Sequence, residues 1–279
     1  MIRGFLSFIR FSHTIFALPF ALGSMFVAAH GLPPVRIFAL VVLAMVFART
    51  AAMTFNRLAD WEIDKRNPRT AGRHKLVSKP VAIAACATSA VLFIVTTWFI
   101  NPVCFALSPV ALIIVFFYSL TKRFTHRAQF FLGLALAVAP IGAWLAVTGS
   151  FAWPPLVLGA SVLCWVAGFD IIYASQDLEV DQREGLRSMV VWLGVSRALA
   201  VATLLHAAAL AGFLLFGALA RLGPIYFIGL GFVGAGLVYE HVLAGKGTIP
   251  AINKAFFQVN ATVSAIFVLS TLADRLVQP

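Results

Sequence analysis

The chain has 279 residues, is 61% hydrophobic and only 11% charged, and carries a formal net charge of +11 with a mean hydropathy of +0.96. Soluble domains carry about 25% charged residues, so these values exclude an ordinary soluble domain and indicate a chain embedded in a bilayer. The basic excess does not indicate a nucleic-acid-binding protein, because its Lys and Arg sit in short loops between apolar runs and form no basic stripe on a polar helix.

Nine apolar runs of spanning length are predicted to be helices, at about 11–30, 37–59, 81–100, 104–120, 129–149, 155–176, 198–219, 224–243 and 255–273. The first lacks a small-residue cleavage site and is long enough to span, so no cleavable signal is expected. Turn chemistry separates the runs: Gly31-Leu32-Pro33-Pro34, Asn101-Pro102, the stretch 149–155, and Gly223-Pro224. The glycine-rich stretch 229–236 predicts close approach between helices. Cys86, Cys104 and Cys164 all lie in apolar runs without metal-ligand spacing, and they read as packing residues. The fold expected is therefore all-α and polytopic, with about nine transmembrane helices in a single domain.

Lys and Arg concentrate on alternate loops. One set holds Arg3, Arg10, Lys65, Arg66, Arg69, Arg73, Lys75, Lys79, Lys122, Arg123, Arg127, Arg183, Arg187, Arg197, Lys246 and Lys254; the other holds little beyond Arg36, Arg221 and Arg275. That bias places the N-terminus inside and, with nine spans, the C-terminus outside, in an inner (cytoplasmic) membrane.

Eight of the ten acidic residues fall in two short segments. The first is Asn56-x3-Asp60-x3-Asp64, with Glu62 inside it. The second is Tyr173-x3-Asp177-x3-Asp181, with Asp170, Glu179 and Glu184 around it. Both repeat a carboxylate at i and i+4, which faces each pair one way on a helix. Arg49 extends the first stripe backward and Asp170 the second, and both sit deep in their spans. An ionisable group there costs at least ~2.5 kcal/mol on insertion scales unless it has a partner or water. Both motifs map to the cytoplasmic ends of spans two and six, an even number of crossings apart, so a pseudo-repeat of four-helix units over about 11–120 and 129–243 plus a final helix is expected. Paired aspartates from two helices suit Mg²⁺, which takes oxygen ligands and shares them with substrate phosphates. The six histidines are scattered and offer no zinc set. Cations for phosphate come after each motif, Arg69 after the first and Arg183 after the second, and Tyr118-x3-Lys122, with Arg123 beside it, adds a third polar cluster at the end of span four.

Taken together, these residues resemble the UbiA superfamily of intramembrane prenyltransferases. Asn56-x3-Asp60-x3-Asp64, running into Lys65-Arg66-Asn67-Pro68-Arg69-Thr70, is similar to that family's first aspartate-rich signature. Tyr173-x3-Asp177-x3-Asp181 is similar to the second, and Tyr118-x3-Lys122 to its YxxxK element. Arg57 stands where many members carry an aspartate, so no metal role is assigned to it. The resemblance implies helices around a central cavity open to lipid, and Mg²⁺-dependent transfer of a prenyl chain from a polyprenyl diphosphate to an acceptor. It implies that Asp60, Asp64, Asp177 and Asp181 hold the metal, with Asn56, on the diphosphate, and that Tyr118 and Lys122 contact it. Tyr173, Arg69 and Arg183 join the candidate substrate-binding set. The stretch Ala174-Ser175-Gln176-Asp177-Leu178-Glu179-Val180-Asp181, then Gly185-Leu186-Arg187-Ser188, is similar to the branch acting on 4-hydroxybenzoate or related aromatic acids in ubiquinone and menaquinone biosynthesis.

An aromatic acid needs a cation for its carboxylate, for which Arg49 is the first candidate and Arg10 the second. Asp170 is the candidate acceptor of the ring proton. A dihydroxynaphthoate, haem or a chlorophyll precursor remains an alternative acceptor. A transporter is a second alternative, opposed by the clustering of the acids at one membrane face. No nucleic acid and no obligate protein partner is expected.

Overall fold

A computed structural model describes residues 2–9, 16–66, 70, 72 and 75–278. Arg10 and Arg69 lie outside the described residues. The chain runs through α1 (Ile2–Phe8), α2 (Leu18–Ala28), α3 (Val35–Ala59), α4 (Trp61–Arg66), α5 (Lys79–Trp98), α6 (Pro102–Thr121) and α7 (Ala128–Thr148). It continues through α8 (Trp153–Ala174), α9 (Leu178–Arg183), α10 (Met189–Leu193), α11 (Val195–Leu219), α12 (Pro224–Gly245), α13 (Ile249–Lys254) and α14 (Asn260–Val277). No strand occurs among the described residues. Eight of the helical segments are long and apolar enough to cross a membrane, with α8–α9 and α13–α14 each counted as one, and α2 is a shorter apolar helix of 11 residues.

Turn residues set the helix ends as the sequence leads one to expect. The Asn101 side chain accepts from the Cys104 N–H at 2.9 Å, with Pro102 in the first turn of α6. Gly149 closes α7 in the left-handed region at φ 67°. The start of α12 is capped from far along the chain: the Asp274 carboxylate accepts from the N–H groups of Gly223 at 2.7 Å and Tyr226 at 3.3 Å. One of the two acids outside the motifs is thereby tied to a helix N-terminus, where a negative charge is favoured.

Helix α8 is the axis of the fold. Leu158, Val162, Trp165, Val166, Phe169, Ile171 and Ile172 along it are all buried, and it packs between α7 and α11. Helix α2 lies on α7 and α14, α3 on α5, and α12 on α14. The glycine-rich stretch of α12 does what its composition led us to expect: a Cβ at Gly229 would overlap the Ser270 side chain, and one at Gly236 would come within 2.9 Å of Val263. The α7–α8 contact is tighter still, because a Cβ at Gly133 would overlap the Leu163 carbonyl and approach its carbonyl carbon at 3.1 Å. Backbone cannot swing aside as a side chain can. Gly133→Ala is expected to destabilise the protein by about 1–3 kcal/mol, read as a lowered melting temperature in detergent. Gly142→Ala on the same helix, with nothing within 4 Å of the added carbon, is expected to leave it unchanged.

The two acidic segments are not the straight helices that their spacing predicts. Helix α3 stops at Ala59 and α4 resumes at Trp61, with Asp60 between them at φ −94°, ψ 16°. Helix α8 passes through a 3₁₀ turn, Ser175–Asp177, before α9, and Asp177 sits at φ −102°, ψ 4°. Each leading aspartate thus occupies the same sparsely populated backbone region, one in which active-site residues recur. Helical bonding bridges the first break, from the Asp60 N–H to Asn56 at 3.0 Å and from the Asp64 N–H to Asp60 at 2.7 Å. Aspartate tolerates such a break because its short polar side chain competes with helix hydrogen bonding.

Candidate active site

The breaks bring both acidic segments to one chamber of about 260 Å³. Asn56, Asp60 and Asp64 reach it from α3 and α4, Asp170, Tyr173, Asp177 and Asp181 from α8 and α9, and Tyr118 and Lys122 from the end of α6. Nine residues singled out by pattern alone, more than a hundred positions apart at the extremes, therefore line one space. Arg49 lines it as well and also lines a second, apolar chamber of about 400 Å³ between α3, α6 and α7. Met53, Tyr118, Leu132 and Leu136 line both chambers with it, so the polar space adjoins the apolar one.

The polar chamber is densely charged. Asn56 donates from Nδ2 to Asp60 Oδ2 at 3.4 Å. Arg123 donates to the Ala59 carbonyl at 2.6 Å and pairs with Asp60 Oδ1 at 3.3 Å, so one guanidinium caps the broken end of α3 and steadies its carboxylate. Arg57 stands 3.6 Å from Asp64 Oδ2 and donates to Asn56 Oδ1 at 3.3 Å. Arg66 and Glu184 pair at 2.9 Å, which links the two acidic segments, and the Arg187 N–H donates to the Lys122 carbonyl at 2.8 Å, which links the second segment to the end of α6.

Burial pushes the Asp60 carboxyl up from its ordinary pKa, with Asp64 adding to the shift and Lys122, Arg123 and Arg57 opposing it. Burial acts on Lys122 in the other direction, but Asp181, Asp170, Asp177 and Asp60 together outweigh it and its pKa is raised. The ammonium therefore stays charged through neutral pH.

Arg183 differs from its expected place: it is exposed and lies outside the chamber lining. It ends the short helix α9, whose inward face is taken by Asp181 and Val180. Arg57, outside the expected site set, lines the chamber, as does Arg123 beside the Tyr118-x3-Lys122 cluster. Arg57 had a legible signal, since it is a charge within a membrane span. The aromatic wall of Phe16, Phe169 and Phe256 had none, because 26 phenylalanines look alike in an apolar sequence.

The donors fit Mg²⁺. Among the described residues the lining offers five carboxylates and no thiol or imidazole. Oxygen ligands suit a metal that keeps waters and completes its shell with substrate phosphate. Among the described residues, the five carboxylates face four cations, Arg49, Arg57, Lys122 and Arg123.

A family model described as the UbiA prenyltransferase family matches residues 17–262. The chain is 33% identical over 263 residues to a protein of Nitrosospira multiformis named 4-hydroxybenzoate octaprenyltransferase, covering 90% of this chain and 88% of that one. It is 30% identical over 254 residues to a protein of the same name from Shewanella pealeana, covering 90% and 87%. Its structure superposes on a UbiA homologue of Aeropyrum pernix K1 with a TM-score of 0.86 at 30% identity, over 94% of this chain and 98% of that one. A UbiA homologue of Archaeoglobus fulgidus, solved with DMAPP and Mg²⁺, shares the fold at a TM-score of 0.72 and 21% identity, over 98% and 99% of the two chains. The chain is a membrane-embedded enzyme that belongs to the UbiA prenyltransferase family.

Proposed function

We propose that this enzyme transfers the prenyl group of a polyprenyl diphosphate to a ring carbon of an aromatic acid, 4-hydroxybenzoate or a close relative, with Mg²⁺, as a step in quinone biosynthesis. One observation carries the reading: a chamber lined by two aspartate segments and by Arg49, Arg57, Lys122 and Arg123 adjoins an apolar chamber of about 400 Å³, with Arg49 and Tyr118 lining both. The names of the similar proteins from Nitrosospira and Shewanella support the choice of acceptor. The chamber sits at the cytoplasmic face with the N-terminus inside, the orientation that the Lys and Arg bias favours.

Asp60, Asp64, Asp177 and Asp181, with Asn56, would hold Mg²⁺ on the diphosphate. The metal acts there as a Lewis acid that neutralises and orients the leaving group. Lys122, Arg57 and Arg123 stabilise the charge that gathers on the diphosphate as the allylic C–O bond breaks, with Tyr118 beside them. The apolar chamber holds the prenyl chain and keeps water from the allylic cation that results. Arg49, at the junction of the two spaces, binds the carboxylate of the acid and turns its ring toward that cation. The ring carbon forms the new C–C bond, and the Asp170 carboxylate takes the proton that the ring loses. Tyr173 packs beside these groups and shapes the pocket wall.

Membranes given a labelled polyprenyl diphosphate and a panel of acceptors are expected to prenylate 4-hydroxybenzoate or a related aromatic acid. EDTA is expected to stop the reaction and added Mg²⁺ to restore it. Prenylation of haem or a porphyrin alone, or ion flux with no prenylated product, would refute the assignment.

A further inference from the structure

Between α13 and α14 the chain makes one wide turn, a π-helix at Ala255–Val259. Such turns insert one residue and rotate the downstream side chains by about 100° relative to an uninterrupted helix. Phe256 lies in this turn and Asn260 directly after it. The two side chains meet different partners. Phe256 turns to the catalytic chamber, where its ring packs 4.1 Å from Tyr173, 5.4 Å from Phe169 and 5.3 Å from Phe16, centroid to centroid. Asn260 turns to α12, where its Nδ2 donates to Glu240 Oε1 at 2.8 Å.

The wide turn loosens the hydrogen bonding of its carbonyls, and the same Asn260 amide group reaches back to two of them, Ala255 and Phe256, each at 3.2 Å. Glu240 and Asn260 are both fully buried. Glu240 Oε2 lies 3.8 Å from His206 Nδ1, whose Nε2 contacts the Trp165 carbonyl on α8 at 3.2 Å. A carboxyl and an amide buried within the bilayer are costly, and an apolar pair of similar size would serve stability as well. What an apolar pair cannot do is bond those two carbonyls and hold the turn open.

We propose that Glu240 and Asn260 are positioning residues that hold the wide turn so that Phe256, with Tyr173, Phe169 and Phe16, forms an aromatic wall against the allylic cation. The wall presents ring faces to positive charge and excludes water on that side. If the wall is lost, water adds to the cation in place of the ring carbon: a C–O bond forms, a proton leaves, and prenyl alcohol appears where prenylated acid should. This rests on the prenyl-transfer reading above.

The experiment measures the ratio of prenyl alcohol to prenylated acid, together with kcat, the KM for prenyl diphosphate and the melting temperature. Phe256→Leu is expected to lower kcat about 3- to 30-fold and to raise the alcohol fraction, with the KM for diphosphate within about twofold of wild type. Asn260→Ala and Glu240→Leu are expected to act in the same direction. Glu240→Gln keeps an acceptor for Asn260 and is expected to retain the wild-type ratio. Combining Asn260→Ala with Phe256→Leu is expected to add little to either alone. If Asn260→Ala does not insert, Phe256→Leu and Glu240→Leu, set against Glu240→Gln, decide the matter through the same ratio. A lowered melting temperature with the wild-type ratio and kcat would overturn the inference and leave Asn260 purely structural, as would an unchanged ratio in Phe256→Leu. Wild-type enzyme that fails to cleave prenyl diphosphate at all would instead count against the function proposed above.

Discussion

Asp60→Ala and Asp177→Ala are each expected to lower kcat by about 10³-fold or more while the protein still inserts and folds. Each residue sits at the break where a long helix gives way to a short one, and each side chain lines the chamber. Asp60 is held by Asn56 and Arg123, so its carboxylate is oriented before any substrate arrives. On the function proposed above, losing either would remove an oxygen ligand from the metal, and the diphosphate would then leave with its charge less well offset. The comparison that gives the test its force lies within the same motifs. Glu62 and Glu179 are exposed and outside the lining, and their alanine variants are expected to keep rates within about twofold, as surface substitutions do. Turnover is measured with labelled prenyl diphosphate at saturating Mg²⁺. Near-normal rates in a well-inserted Asp60 or Asp177 variant would remove the metal site from the chamber.

Lys122→Met carries the second largest expected effect. The ammonium faces Asp60, Asp170, Asp177 and Asp181, and their combined field outweighs the cost of burial and raises its pKa. Methionine keeps most of the side-chain volume and deletes the charge. Two consequences are expected. The leaving diphosphate loses a fixed cation, so kcat falls on the order of 10²-fold and the KM for prenyl diphosphate rises. The four carboxylates also repel one another with one fewer cation between them, so the variant melts at a lower temperature, and added Mg²⁺ recovers part of that loss by binding among them. Lys122→Arg keeps the charge but not the compact geometry of the ammonium, and is expected to fall between the two. A wild-type KM and kcat in Lys122→Met would show that the diphosphate rests elsewhere.

Much of this was legible in the sequence because hydropathy and helical spacing are local properties. Long apolar runs must bury their backbone polar groups in helices when water is absent, and among the described residues eight helical segments are long and apolar enough to span, with one shorter apolar helix. The i, i+4 spacing set the face on which Asp60 and Asp64, or Asp177 and Asp181, lie. The glycines of α12 announced a close helix approach, which Gly229 and Gly236 make. Spacing could not reveal the interruptions at Asp60 and at Ser175–Asp177, because a local break leaves the pattern of residue types almost unchanged. It drew Arg183 inward with the motif it follows, and the short helix α9 instead leaves that side chain exposed.

The amino-acid sequence by itself determined that this chain is a membrane-embedded helical protein, and that two oxygen-rich segments able to share a metal and a phosphate lie at the ends of distant spans. Those properties come from residue type and periodicity within one element. Only the tertiary structure decided that the two segments line one space, that this space shares Arg49 with an adjoining apolar chamber, that Arg57 lines it, and that Phe256 faces it while Asn260 faces Glu240. Those properties depend on the relative rotation and offset of helices far apart in the chain, which side-chain packing sets and which no repeat within a single helix can encode.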